Sequence, residues 1–256
     1  MEVERYEHGV PSWVDLGTPD IPKAIEFYSG LFGWQIEQGP PEAGGYSMAL
    51  YQGKPAAGLG PQMNPGPPYW NTYVSVDSAD DVVAKAKANG ATVFMEPMDV
   101  MDVGRMAIFA DPIGAVISVW EPRAHTGAGI VNEPNTYSWS ELVTTDVEKS
   151  KQFYGAVFGW GSETHGEDGP MAYTEWKVDG RSVGGMMLKP PMMPAEVPPF
   201  WGVYFSVDGT EAAMDKVKEL GGQVLMGPMD VEPGKFAVVQ DPQGATFNII
   251  TMKPQP

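Results

Sequence analysis

Three histidines, His8, His125 and His165, and no cysteine make up the chain's stock of imidazole and thiol chemistry. The lack of cysteine excludes disulfides, thiolate nucleophiles, iron–sulfur clusters and Cys-based zinc sites. His8 stands in an N-terminal tail, His125 in a Gly-containing linker and His165 in the loop GSETHGEDGP (161–170). Each is expected to be a solvated surface residue, since a metal site needs several convergent groups. None is placed to complete a Ser-His-Asp triad. GYSMA (45–49) lacks the Gly-Ser-Gly spacing of a nucleophile elbow. Neither GAGI (127–130) nor SVGGMM (182–187) completes a dinucleotide fingerprint, and no Walker loop occurs. Carboxylate chemistry remains. Asp15 and Glu141 each follow a tryptophan by two positions, in WVDL and WSEL, and strand alternation would put indole and carboxylate on one face.

Which elements could position such groups follows from composition and repetition. The 256 residues suffice for two domains. With 43% hydrophobic and 19% charged residues the chain is globular, and its Gly and Pro content implies many turns. Its net charge of −17 would repel a phosphate backbone or an anionic membrane, so neither nucleic acid nor a membrane is expected as a partner. No 18-residue apolar run occurs and the start has no basic-then-apolar leader, so a cytoplasmic location is expected.

The chain repeats itself. WVDLGTPD (13–20) returns as WSELVTTD (139–146), and FYSGLFGW (27–34) as FYGAVFGW (153–160), both at an offset of 126. WNTYVSVD (70–77) returns as WGVYFSVD (201–208), and GRMAIFADPIGA (104–115) as GKFAVVQDPQGA (234–245). RAHTGAGIVNEPN (123–135) reads as the linker between halves. Each half divides again into two units running strand, helix, then strands. The units span 11–62 and 69–122 after a tail at 1–10, then 136–190 and 199–253. Asp20 and Ser78 are expected helix caps, and Gly33 and Gly90 helix ends. Strands are expected at 46–51, 55–59, 72–76, 92–95, 105–110 and 116–120, with DPIG (111–114) as a tight turn.

The twice-repeated FYxxLFGW-like entry, SVD strand and DPxGA turn resemble the vicinal oxygen chelate superfamily, which includes glyoxalase I, bleomycin and fosfomycin resistance proteins and extradiol dioxygenases. The resemblance covers about residues 11–252 and implies an α+β fold. Two glyoxalase/bleomycin-resistance-like domains are expected, each of two βαβββ units with curled mixed sheets around a cavity. Tandem members of this size often carry the name hydroxylase.

Metal-dependent members of that family carry a His or Glu on four strands. Counting from the shared anchors, the resemblance places these positions at Trp13, Asn71 and Ser118 in the first half and at Trp139, Gly202 and Asn248 in the second. The fourth falls in PAAGLGPQM (55–63) or SVGGMMLKP (182–190), neither of which contains His, Asp or Glu. A transition ion wants three or four imidazole or carboxylate ligands, so no metal and no other cofactor is expected. Alternation adds Asp15 to Trp13, Tyr73 and Ser75 to Asn71, Trp120 to Ser118, Glu141 to Trp139, Tyr204 and Ser206 to Gly202, and Ile250 to Asn248. Such a lining suits a flat, mostly apolar organic ligand.

Plainer readings stand beside these. Trp13 and Trp139 serve equally as core filling. Asp15 and Glu141 have Arg105 and Lys235 at matching repeat positions, which favours paired ion bridges over free carboxylates. The Pro- and Met-rich crossings PQMNPGPPYW (61–70) and KPPMMPAEVPPFW (189–201) are connectors or lids. The expected function is metal-independent binding of a small hydrophobic or aromatic molecule, by a monomer or homodimer. The alternative is a glyoxalase- or hydroxylase-like enzyme with Asp15 or Glu141 as general acid/base and Tyr73 or Tyr204 donating to an oxyanion. A metal-dependent lyase or dioxygenase ranks third.

Overall fold

The computed structural model describes residues 1–63, 65–166 and 172–253. In each half the strand-forming segments join a single eight-stranded mixed sheet. The first unit comprises β1 (Pro11–Thr18), α1 (Ile21–Phe32), β2 (Gln35–Gln38), β3 (Ser47–Tyr51) and β4 (Lys54–Pro61). The second comprises β5 (Tyr69–Ser75), α2 (Ala79–Ala88), β6 (Thr92–Val100), β7 (Gly104–Ala110) and β8 (Val116–Pro122). The spatial order is β2-β3-β4-β1-β5-β8-β7-β6. The two units meet where β1 runs antiparallel to β5, and each of those strands is flanked by a parallel partner, β4 and β8.

The second half repeats this order. It runs through β9 (Tyr137–Thr144), α3 (Val147–Phe158), β10 (Gly161–His165), β11 (Tyr173–Val178), β12 (Arg181–Leu188), β13 (Phe200–Ser206), α4 (Thr210–Glu219), β14 (Gln223–Val231), β15 (Gly234–Gln240) and β16 (Thr246–Met252). The edge strands β2 and β10 were not expected, because QIEQ and GSETH carry no apolar alternation and pair on one side only. His165 consequently lies on a strand, not in a loop. Residues 167–170 of that expected loop, and Asn64 of the first Pro-rich crossing, lie outside the described residues.

Local chemistry explains the helix boundaries. The Asp20 carboxylate accepts from the Lys23 backbone N–H at 3.1 Å, and Asp146 does the same for Lys149 at 3.0 Å. Such caps contribute about 1 kcal/mol each. Gly33 and Gly159 end their helices at φ +70° and +74°, a left-handed turn that swings Trp34 and Trp160 back into the interior.

The two halves do not build separate cores. Val14 and Leu16 of β1 pack with Ala24, Phe27, Tyr28 and Phe32 of α1. That cluster continues into Phe205 and Phe247 of the second sheet and Met214 and Val217 of α4. Conversely, Val82, Val83 and Ala86 of α2 cluster with Phe153, Tyr154 and Phe158 of α3 and with Trp160, Trp176 and Trp201. Each half's helices thus complete the other's core. The linker is not free either: the Ala128 and Gly129 amides donate to the Ser12 and Pro55 carbonyls at 2.8 Å each, and Ala128, Ile130 and Val131 are buried.

Candidate functional site

Alternation on β1 sends Val14 and Leu16 to the helices, and Trp13 and Asp15 to the opposite face of the sheet. There Asp15, only 8% exposed, accepts hydrogen bonds from three neutral donors. The Tyr73 hydroxyl donates to its Oδ2 at 2.9 Å, the Tyr46 hydroxyl to Oδ2 at 3.3 Å and the Asn71 amide to Oδ1 at 2.9 Å. The Trp13 indole N–H in turn donates to the Tyr46 oxygen at 2.9 Å. Burial pushes the Asp15 carboxyl up to about 6, against the lowering effect of the Asn71, Tyr73 and Tyr46 donors. Burial and the Asp15 charge hold the Tyr46 and Tyr73 hydroxyls well above their usual range, so both stay donors.

The second half repeats the arrangement around Glu141. The Tyr204 hydroxyl donates to Oε1 at 2.9 Å, Tyr173 donates to the same carboxylate, and the Trp139 N–H donates to the Tyr173 oxygen at 2.9 Å. Burial again raises the carboxyl. One donor differs. Gly202 replaces Asn71, and a Cβ there would sit 3.2 Å from the Asn248 amide nitrogen, so Asn248 fills from β16 the space that Asn71 fills from β5. Asn248 donates to the Val203 carbonyl at 3.3 Å, not to Glu141. Its counterpart Ser118 is fully buried, opposite Tyr73 in register.

Two tyrosines of this network, Tyr46 and Tyr173, escaped the reading of the sequence. The signal was present: they stand 127 residues apart, and so do Gly58 and Gly185. A Cβ at Gly58 would lie 1.8 Å from the Tyr46 hydroxyl, and one at Gly185 1.8 Å from that of Tyr173. Each glycine is therefore the space in which a tyrosine ring lies across the sheet. These rings occupy room that the expected cavities would leave open. A groove of about 300 Å³, lined by Ile21, Ile25, Pro40 and Tyr46, lies beside the start of α1.

The expected ion bridges do not form. Arg105 instead bonds Asp80 at 2.8 Å and Asp99 at 3.1 Å, and Lys235 bonds Glu211 at 2.7 Å, all toward solvent. Asp15 is buried with neutral hydroxyls and an amide and Glu141 with neutral hydroxyls, where a long cationic side chain would have to be desolvated as well. Arg105 and Lys235 are accordingly not part of either carboxylate's surroundings. Nor is His125 a surface residue. Its ring meets Trp13 edge-on at 4.5 Å and Trp120 at 5.7 Å, and burial pushes its pKa down to about 4. Trp120 donates to the His125 carbonyl at 2.8 Å and lies across Gly104; Ile250 stands in its place in the second half. His8 accepts from the Asp77 amide at 3.1 Å.

Indole, amide and hydroxyl side chains at Trp13, Asn71, Ser118, Trp139 and Asn248, with no side chain at Gly202, do not fit a divalent transition ion. Each half contributes a single carboxylate, already satisfied by hydroxyls. Among the described residues, Glu163, His165 and Glu175 place ligand atoms within 4.8 Å of one another. The Lys177 ammonium already bonds both acids, at 3.0 and 2.6 Å, and supplies their countercharge.

Comparison with known proteins identifies the repeated fold. The family model described as Glyoxalase/Bleomycin resistance protein/Dioxygenase superfamily matches residues 11–119 and again 131–249. The chain is 42% identical over 259 residues to CFP32 of Mycobacterium bovis, by name a candidate glyoxylase, covering 98% of both chains. It is 34% identical over 265 residues to the anthracycline biosynthesis protein DauV of Streptomyces sp. strain C5, covering 97% of this chain and 95% of that one. Among solved structures it resembles a Mn(II)-bound glyoxalase from Novosphingobium aromaticivorans, with a TM-score of 0.66 at 17% identity over 96% of this chain and 83% of the other. At that identity the likeness is one of fold.

Proposed function

The chain belongs to the glyoxalase/bleomycin resistance protein/dioxygenase superfamily, and from that premise we propose that it binds a flat, hydroxylated aromatic molecule without a metal ion. The ligand lies on the face of each sheet that carries Trp13 and Asp15 or Trp139 and Glu141. One observation carries this reading. Both halves bury a lone carboxylate among tyrosine hydroxyls beside an indole, where a metal-dependent relative would need several ionic ligands. Indole and phenol rings offer stacking area, and a carboxylate accepts a ligand hydroxyl in exchange for that of Tyr46 or Tyr173. The relative named for anthracycline biosynthesis supports an aromatic ligand of several fused rings.

Alizarin, a planar hydroxylated anthraquinone, tests this. Titrated into chelator-treated protein, it should quench tryptophan fluorescence saturably and be recovered unchanged. Absence of saturable quenching in the treated protein, with restoration by a divalent metal, would overturn the proposal.

A second reading rests on the Asp15 carboxyl standing at about 6. A group so poised exchanges a proton near neutrality and would serve as general acid/base on a bound molecule. Tyr73 and Tyr204 would then have to release their carboxylate partners to donate to substrate oxygen. Conversion of a bound compound by wild-type protein, lost in D15N and E141Q, would favour this enzyme over the binding protein.

A further inference from the structure

The first half holds a polar atom that its own structure leaves without a partner. His125 Nε2 is buried and makes no hydrogen bond, although the backbone around it is fixed: the His125 amide donates to the Val103 carbonyl at 3.0 Å, and the Trp120 indole to the His125 carbonyl at 2.8 Å. The ring is wedged against Trp13 and Trp120. Ser118 Oγ, two residues from Trp120 on the same face of β8, is likewise buried and unpaired. An unpaired buried polar group is destabilising, and a native chain rarely retains one without a use. His125 lies against Trp13 and Trp120, and Ser118 stands opposite Tyr73 in register; of these rings Tyr73 bonds Asp15 directly and Trp13 reaches it through Tyr46.

We propose that His125 is a specificity-determining residue of the first half, its Nε2 pairing with a hydroxyl of an aromatic ligand that lies against Trp13 and Trp120. This rests on the binding function proposed above and adds a recognition element that comes from the linker. A hydroxyl both donates and accepts, so it satisfies the imidazole in either tautomer. The two halves are therefore unequal: Ile250 stands where Trp120 would brace such an imidazole. The first half is selective for oxygenated rings, and the second is governed by Trp139 and Glu141.

The direct test is nitrogen NMR of the uniformly labelled wild-type chain. On saturation with alizarin the His125 imidazole resonance should shift while those of His8 and His165 stay in place. In parallel, affinities are compared in W139A protein, where the second half's indole is removed. Here H125F should weaken alizarin about tenfold yet leave anthracene, the ring system without oxygen, within twofold. H125Q, which restores a hydrogen-bonding side chain, should recover most of the loss. An unmoved His125 resonance on saturation, or equal effects of H125F on both ligands, would overturn the role of His125 and leave the binding function standing. Failure of wild-type protein to bind alizarin at all would overturn both.

Discussion

The Tyr28 hydroxyl of the first half donates to Asp241 Oδ2 of the second at 3.1 Å, and Tyr154 of the second donates to Asp111 Oδ2 of the first at 2.9 Å. The acceptors belong to the DPxGA turns. Asp111 Oδ1 takes the Ile113, Gly114 and Ala115 amides, and Asp241 Oδ1 takes those of Gln243 and Ala245. One carboxylate oxygen thus shapes the turn and the other reaches across to the opposite helix. The tyrosines also accept from Trp70 and Trp201, at 3.1 and 2.9 Å. The two most repetitive motifs of the chain are therefore partners across the duplication, not within a repeat.

Removing a hydroxyl from this system leaves a buried carboxylate oxygen and an indole N–H without their partner, a loss of about 1 to 3 kcal/mol. Y28F and Y154F should each lower unfolding free energy by that amount in urea titrations. Because the pairs lie in different core clusters, the double variant should be close to additive. Losses below about 0.5 kcal/mol in both would show that the cross-half bonds contribute little.

Gly58 gives the site its second prediction. A methyl group there would overlap the Tyr46 hydroxyl, and Asp15 Cβ lies 2.9 Å away. G58A should displace Tyr46, break the chain of bonds from Trp13 to Asp15 and destabilise the protein by about 2 kcal/mol, within the range for overpacking. In a Y46A background the tyrosine clash is gone, so the same substitution should cost clearly less. A double-mutant cycle with no coupling between positions 58 and 46 would refute the steric account.

How much of this could be read beforehand depends on whether the signal lay in periodicity or in long-range placement. Repetition at 126 residues disclosed the two-half architecture, and alternation alone put Trp13 with Asp15 and Trp139 with Glu141. Tyr46 and Tyr173 escaped because each sits at or just before the start of an edge-proximal strand, reaching the carboxylate only by crossing a glycine on the neighbouring strand. Arg105 misled because equivalence in the repeat says that two residues share an environment, not which residue each one meets. His125 misled because a segment rich in Gly and polar residues can still be held by main-chain bonds, as the contacts with Ser12 and Pro55 show.

The observed partners of Arg105 lead to a third prediction. Since its guanidinium meets Asp80 and Asp99 at the surface, R105A should leave the Asp15 titration within experimental error of wild type. Asn71 is different, for it donates directly to Asp15. N71A removes a group that lowers the Asp15 pKa and should raise it above about 6. Carboxyl carbon NMR of the two variants checks both statements. A large shift in R105A would restore the ion-bridge reading that the geometry contradicts.

Asp15 and His125 also oppose each other in the pH dependence of stability. The folded Asp15 keeps its proton up to about pH 6, whereas the unfolded chain releases it near 3.8. Its contribution is therefore full below about pH 4 and is lost as pH rises through 6, a difference of roughly 3 kcal/mol at most. His125 acts in the reverse direction. Its folded pKa, pushed from 6.5 down to about 4, gives a contribution present above 6.5 and lost as pH falls toward 4. Between pH 4 and 6 the two slopes partly cancel in the wild-type protein. D15N removes one of them, so its unfolding free energy relative to wild type should rise by up to about 3 kcal/mol from pH 4 to pH 7. H125Q should change in the contrary sense over the same interval. Urea titrations at four or five pH values resolve these slopes, and because they compare differences, the cost of each substitution at any one pH drops out. A D15N profile parallel to wild type would mean that the carboxyl among Tyr46, Asn71 and Tyr73 ionises as it does in water, and the proton-transfer reading of the site would fall with it.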